Sequence, residues 1–204
     1  ANGTVKGSAT VTINGGEVGT DVYGGGEGSS TVVGQNTTVI IGNNESTNSP
    51  TIKGNVYGGS AYGSVNRNGS TSVTVNKGTI ANSVFGGGKG TATQVPYTYG
   101  DITVTINNGN IGRVFGGFDK AGTPSKTDTI YVNNGVIGDL FGGGNKTGQT
   151  TTNIYVKGGE ISNLYGGSNE KGDVTTSNIE ATAGTLGYVY GGNNIAGTTN
   201  TTNV

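Results

Sequence analysis

Apolar residues along this chain fall into one pattern that returns seven times. Each unit opens with two aliphatic residues separated by a single residue, polar or aromatic in six units and Ile40 in the second: Val11/Ile13, Val39/Ile41, Val73/Val75, Val104/Ile106, Ile130/Val132, Ile154/Val156 and Ile179/Ala181. Period two in largely β-branched residues predicts a strand with one buried face. Three residues after the second member, six of the seven units carry a glycine (Gly16, Gly78, Gly109, Gly135, Gly159, Gly184). A turn that needs positive φ would select glycine there. A lone aliphatic follows (Val18, Ile52, Ile80, Ile111, Ile137, Ile161 or Leu186), then an aliphatic-aromatic pair closed by Gly-Gly, as in Val22-Tyr23-Gly24-Gly25. None of this has the 3.6-residue period of a helix.

The aromatics of those corners are Tyr23, Tyr57, Phe85, Phe115, Phe141, Tyr165 and Tyr190, at intervals of 34, 28, 30, 26, 24 and 25 residues. Such spacing marks a repeat architecture. A unit of this size with two or three short strands cannot bury its apolar face alone, so it must stack on its neighbours. Winding each unit once around an axis lays strand over equivalent strand, which predicts an all-β parallel β-solenoid of about seven coils spaced by about 4.8 Å. Right-handed winding follows the usual crossover preference. The rival, a β-propeller, needs four antiparallel strands and about 40 to 45 residues per blade, more than these units contain. Residues 1 to 204 therefore read as one solenoid domain. The last unit stops where an eighth strand should begin, as expected of a piece of a longer array.

Length varies mainly in the segments after Gly-Gly at residues 60 to 70 and 88 to 100, and in the turn at residues 42 to 51. These insertions are expected to project from the rod. Binding residues concentrate in loops on a rigid frame, which singles out Tyr62, Arg67, Tyr97 and Tyr99 as a candidate ligand-binding edge. The aromatic column is read as an internal ladder rather than an exposed sugar platform, because Phe and Tyr interchange in it beside an obligatory small corner. The Gly-Gly corners, Gly116 and Gly142 among them, are expected to be tight turns with positive φ. Asn14, Asn76, Asn107 and Asn133 share one turn position and are expected to stack their amides. Outward threonines such as Thr10, Thr12, Thr103 and Thr105 invite comparison with flat ice-binding arrays. Ile40, Tyr131, Tyr155 and Glu180 interrupt that array, and β-propensity explains the threonines as well.

Composition narrows the chemistry. Forty-three glycines and 30% hydrophobic residues would mean disorder if scattered, but here the apolar positions are strictly placed. Eleven basic and twelve acidic residues, spread singly, offer no basic stripe for nucleic acid. The absence of His and Cys removes the commonest general base, the commonest zinc ligands and any thiol nucleophile. No apolar run is long enough to span a membrane as a helix, so no direct membrane insertion is expected. The acids are too dispersed for a glycosidase pair or a calcium cluster. The glycine-rich corners lack the helix and the Lys-Ser/Thr ending of a phosphate loop. No catalytic residue, metal or cofactor is therefore expected.

The recurrent Val/Leu-Tyr/Phe-Gly-Gly corner and the alternating Val/Ile-x-Ile/Val-x-x-Gly strand resemble the arrays of large bacterial cell-surface parallel β-helix proteins, the pectate-lyase-like adhesins. That resemblance covers the whole chain. It implies an extracellular, non-catalytic structural or adhesive rod whose partner is a host or cell-surface glycan or protein. A carbohydrate-binding or phage-tail-type receptor-binding rod is the alternative, and a polysaccharide lyase or hydrolase the third reading.

Overall fold

The computed structural model describes residues 3–65, 69–123 and 126–204. It is a parallel β-solenoid of about eight turns, as in β-helix repeat proteins, with no helix among the described residues. Its front face is built from Ala9–Ile13, Thr37–Ile41, Thr71–Val75, Ile102–Ile106 and Asp128–Val132. The front face continues through the first parts of Gln149–Tyr165 and Val174–Tyr190 to Thr199–Asn203, every neighbour being parallel. The chain does not stop short of an eighth strand, as its sequence pattern suggests: Thr199, Thr201, Thr202 and Asn203 pair with Val174, Thr176, Ser177 and Asn178.

Equivalent residues lie in register from coil to coil. Val11, Val39, Val73, Val104, Ile130, Ile154 and Ile179 form one inward column, since each is the Cα partner of the next. The back face supplies two more, running from Ile52 through Ile80, Ile111 and Ile137 to Ile161, and from Val56 through Val84, Val114 and Leu140 to Leu164. Together these columns make one aliphatic core in which most members are fully buried. A one-residue slip would turn every inward side chain to the outside, so the alternation itself enforces the register.

The turn glycines behave as the sequence suggested. Gly16, Gly78, Gly109, Gly135, Gly159 and Gly184 all have φ between 76° and 132°. The corner glycines do not: Gly116 and Gly142 are absent from the positive-φ set. Proximity is what excludes a side chain there. A Cβ on Gly24, Gly58, Gly86, Gly116, Gly142 or Gly166 would stand 2.1–2.3 Å from the carbonyl oxygen of the corresponding glycine in the next coil. Each of these glycines donates its N–H to the carbonyl of the next coil's aromatic residue, as Gly116 does to Phe141 at 3.0 Å. At each corner two backbones come too close to admit a Cβ between them.

A third, smaller sheet was not foreseen. Thr4–Val5, Val32–Val33, Ser64–Val65 and Tyr97–Thr98 pair in parallel, with Thr123 bridging to Tyr97. The segments after Gly-Gly at residues 60 to 65 and 88 to 100 therefore lie along the rod instead of projecting from it. Short backbone bonds tie them coil to coil, such as Lys89 N–H to Ser60 C=O and Asp119 N–H to Gly88 C=O. Burial of Val33, Ala61, Val65 and Phe118 fastens them down. The turn at residues 42 to 51 matches the expectation better, with Asn44, Glu45, Thr47, Asn48 and Ser49 exposed.

Candidate functional site

The aromatic column sits between the back face and the segments that follow Gly-Gly. Val84 and Phe85 are adjacent in one strand and both buried, so they face opposite ways. The valine enters the aliphatic core and the ring enters a separate cluster of Tyr57, Phe85, Phe115 and Phe141, with Tyr23 and Tyr165 packed against it. The rings of Tyr23, Tyr57, Phe85, Phe115, Phe141, Tyr165 and Tyr190 stack in succession, with centroids 4.6–5.0 Å apart and planes within 11°. This is an internal ladder over most of its length. Only Tyr190, in the last corner, is largely exposed, at 44%.

Amide and carboxyl ladders flank the rings. Two residues before each aromatic, Asp21, Asn55, Ser83, Arg113, Asp139, Asn163 and Tyr188 succeed one another; Asn55 donates to Asp21 and Asn163 to Asp139. Four residues after the aromatic, Asn194 donates to Asn169, Asn169 to Asn145, and Asn145 to Asp119, at 2.8–3.1 Å. Asp119, Asn145 and Asn169 are nine-tenths or more buried. The chain of donors ends in a carboxylate because a final acceptor needs no N–H of its own. The other oxygen of Asp119 accepts the Tyr57 hydroxyl at 3.1 Å. Burial first, and then the Asp119 charge, push the Tyr57 phenol far above its ordinary range.

A second polar cluster closes the N-terminal end of the ladder. Asp21 accepts four hydrogen bonds, from Asn55 N–H and side chain, from the Tyr23 hydroxyl at 2.8 Å and from Lys89 at 3.0 Å. Burial acts to raise its pKa, but the donors outweigh it and hold the carboxyl at about 2. The Tyr23 phenol is pushed up to about 12, chiefly by burial, with Asp21 adding to the rise and Lys89 opposing it. Lys89 reaches back across two coils to make this contact, so the cluster pins three coils together.

Of the four loop-edge residues expected to bind a ligand, Tyr97 and Tyr99 are brought into contact, with ring centroids 4.1 Å apart and a 34° tilt. Tyr99 is exposed, whereas Tyr97 and Tyr62 are half-buried. Tyr97 pairs with Ser64, two residues beyond Tyr62, yet no ring contact joins Tyr62 to the pair among the described residues. Arg67 lies outside the described residues. On the turn face Asn133 donates to Asn107 and Asn107 to Asn76, as expected. Gly42 takes the place of the second amide, so Asn76 donates to the Gly42 carbonyl instead of reaching Asn14. Asn203, Asn178 and Asn153 form a further ladder on the front face. The sequence signal for the flanking ladders is the fixed offset of four after and two before the aromatic, which the pattern of apolar residues does not carry.

The face columns confirm that the outward threonines are interrupted. Thr12, Ile40, Thr74, Thr105, Tyr131, Tyr155 and Glu180 are successive partners, and Tyr131 and Tyr155 stack at 5.2 Å. Among the described residues no group of three or more acidic side chains is placed to hold a metal ion. In comparisons with protein families, curated proteins and solved structures, nothing matches this chain.

Proposed function

We propose that this chain is a non-catalytic segment of a stiff extracellular rod, of the kind found in the bacterial cell-surface β-helix adhesins that its corners resemble. The observation that carries this reading is the unbroken run of stacked rings and corner backbone bonds from the first corner to the last, with shorter amide ladders beside it. Each coil is joined to the next by several columns at once, so the chain resists bending and shear without any catalytic group. The best-formed carboxylates serve this structure: Asp21 holds Asn55, Tyr23 and Lys89, and Asp119 holds Tyr57 and Asn145. The test is incubation with plant, algal and host polysaccharides, with and without calcium. No product should appear; reproducible release abolished by one Asp or Glu substitution overturns the proposal.

The Tyr97–Tyr99 pair favours a second reading, a carbohydrate-binding or receptor-binding rod. Two contacting rings, one of them exposed, on a pinned segment form a preorganised apolar surface with polar tips. Glycan-array binding lost in Tyr99→Ala but retained in Tyr62→Ala would place recognition at this pair. Binding unchanged in both variants would remove it.

A further inference from the structure

Where the third sheet ends, the surface steps down. The segment at residues 88 to 100 is the last long one, and beyond it the connections after Gly-Gly shorten, leaving a groove of about 680 Å³ along coils four to six. Thr91, Ala92 and Val95 form its wall, and Lys120, Lys146 and Lys171 project from three successive coils along its length. The repeat places them there. Lys120 and Lys146 each stand five residues after their aromatic and Lys171 six after its own, and Lys120 N–H bonds to the Lys89 carbonyl as Lys146 N–H does to that of Asp119.

The neighbouring carboxylates are already engaged. Glu170 holds Lys146 at 2.8 Å, buried Asp119 is taken by Tyr57 and Asn145, and Asp173 accepts the Thr198 N–H. Among the described residues no carboxylate pairs with Lys120 or Lys171, and both are exposed. Lys89, one coil before Lys120, shows the contrast, since Asp21 and Tyr23 tie it down. Two ammonium groups without a carboxylate partner thus stand two coils apart, about 10 Å from each other along the axis, with the Lys146–Glu170 ion pair between them.

The geometry points to a binding groove for an extended acidic polysaccharide, whose carboxylate or sulfate groups would meet Lys120 and Lys171 while its sugar rings lie against Ala92 and Val95. Ammonium groups are point charges on flexible stems, suited to anions on a polymer that slides in register and not to the fixed fork of one carboxylate. Nucleic acid fits less well. Its duplex phosphates repeat at about 3.4 Å per strand, and single-strand binders need aromatic platforms that this groove does not supply. The inference is independent of whether the rod is an adhesin or a spacer.

The experiment uses the full chain at low ionic strength and measures binding to four probes: a sulfated glycosaminoglycan oligosaccharide, hyaluronan, neutral dextran and a single-stranded oligonucleotide. Binding to the sulfated or the carboxylated glycan, or to both, with none to dextran, is expected; the two acidic glycans separate sulfate from carboxylate recognition. Lys120→Glu/Lys171→Glu should lose at least about tenfold in affinity, in keeping with two lost charge contacts. Lys6→Glu/Lys53→Glu, which changes net charge equally at residues outside the groove, should retain binding. Thermal melting of both variants shows that the fold is intact. No binding to either acidic glycan, equal loss in the control variant, or an oligonucleotide bound as tightly as the glycans would each overturn the proposal.

Discussion

Replacing Gly116 by alanine tests the claim that the corners are governed by proximity and not by φ. A Cβ at Gly116 would lie 2.1 Å from the Gly142 oxygen and 3.0 Å from the Asp128 Cβ. Ordinary contact begins near 3.4 Å, so the neighbouring coil must retreat by about 1.3 Å at that point. Such a retreat stretches Gly116 N–H to Phe141 C=O and Gly117 N–H to Gly143 C=O, now 3.0 and 3.1 Å, out of hydrogen-bonding range. Overpacking of this kind costs about 1–3 kcal/mol, and two weakened backbone bonds about 1 kcal/mol each. Against these stands a gain of about 0.4–1 kcal/mol from the stiffer unfolded chain. The expected net loss is about 2–5 kcal/mol. Two companions isolate the cause. Gly16→Ala meets nothing within 4 Å but has φ +76°, so it should lose about 1–2 kcal/mol from backbone strain alone. Gly19→Ala meets nothing and has no positive φ, so it should be neutral or slightly stabilised. The assay is guanidinium unfolding followed by tyrosine fluorescence, the chain having no tryptophan, with exchange of the amide protons of residues 116 and 117, the donors of those two bonds, as a local check. If Gly116→Ala unfolds like Gly19→Ala, the close-approach argument fails.

Three further outcomes follow. Because Asp21 is depressed to about 2, its contribution to stability is complete above the unfolded carboxyl pKa near 4 and fades as pH falls toward 2; acid titration of Asp21→Asn should lack that limb, and an unchanged acid profile counts against the Tyr23–Asp21–Lys89 cluster. The raised Tyr23 and Tyr57 phenols contribute stability that is fully present below about pH 10 and is lost as pH rises through their folded values, so tyrosinate absorbance should show both still protonated when exposed tyrosines have ionised. Asp119→Asn should stay within about 1 kcal/mol of the parent, since an amide can accept from Asn145 and donate to the Tyr57 oxygen, whereas Asp119→Leu should lose about 2–3 kcal/mol; equal melting of the two would show that the ladder end is not load-sharing.

The sequence by itself determined the coil. Alternating pairs, turn glycines at a fixed offset and the aromatic-Gly-Gly corner specify strand, turn and stacking locally, because period two and positive φ are properties of a few consecutive residues. What only the tertiary structure decided depends on neighbours one coil away, 24 to 34 residues along the chain, or two coils away, as with Tyr57 and Asp119 at 62 and Asp21 and Lys89 at 68. The corner glycines are required by a carbonyl of the next coil, which no local rule about φ can reveal. The segments after Gly-Gly differ in length and look like free loops, yet backbone bonding between coils lays them into a third sheet and brings Tyr97 onto Tyr99. Asp21, Lys89 and Asp119 read in sequence as scattered surface charges. Stacking carries Lys89 back two coils to Asp21 and brings Asp119 to the Tyr57 hydroxyl, because coils a few ångströms apart let side chains at different positions of the repeat meet.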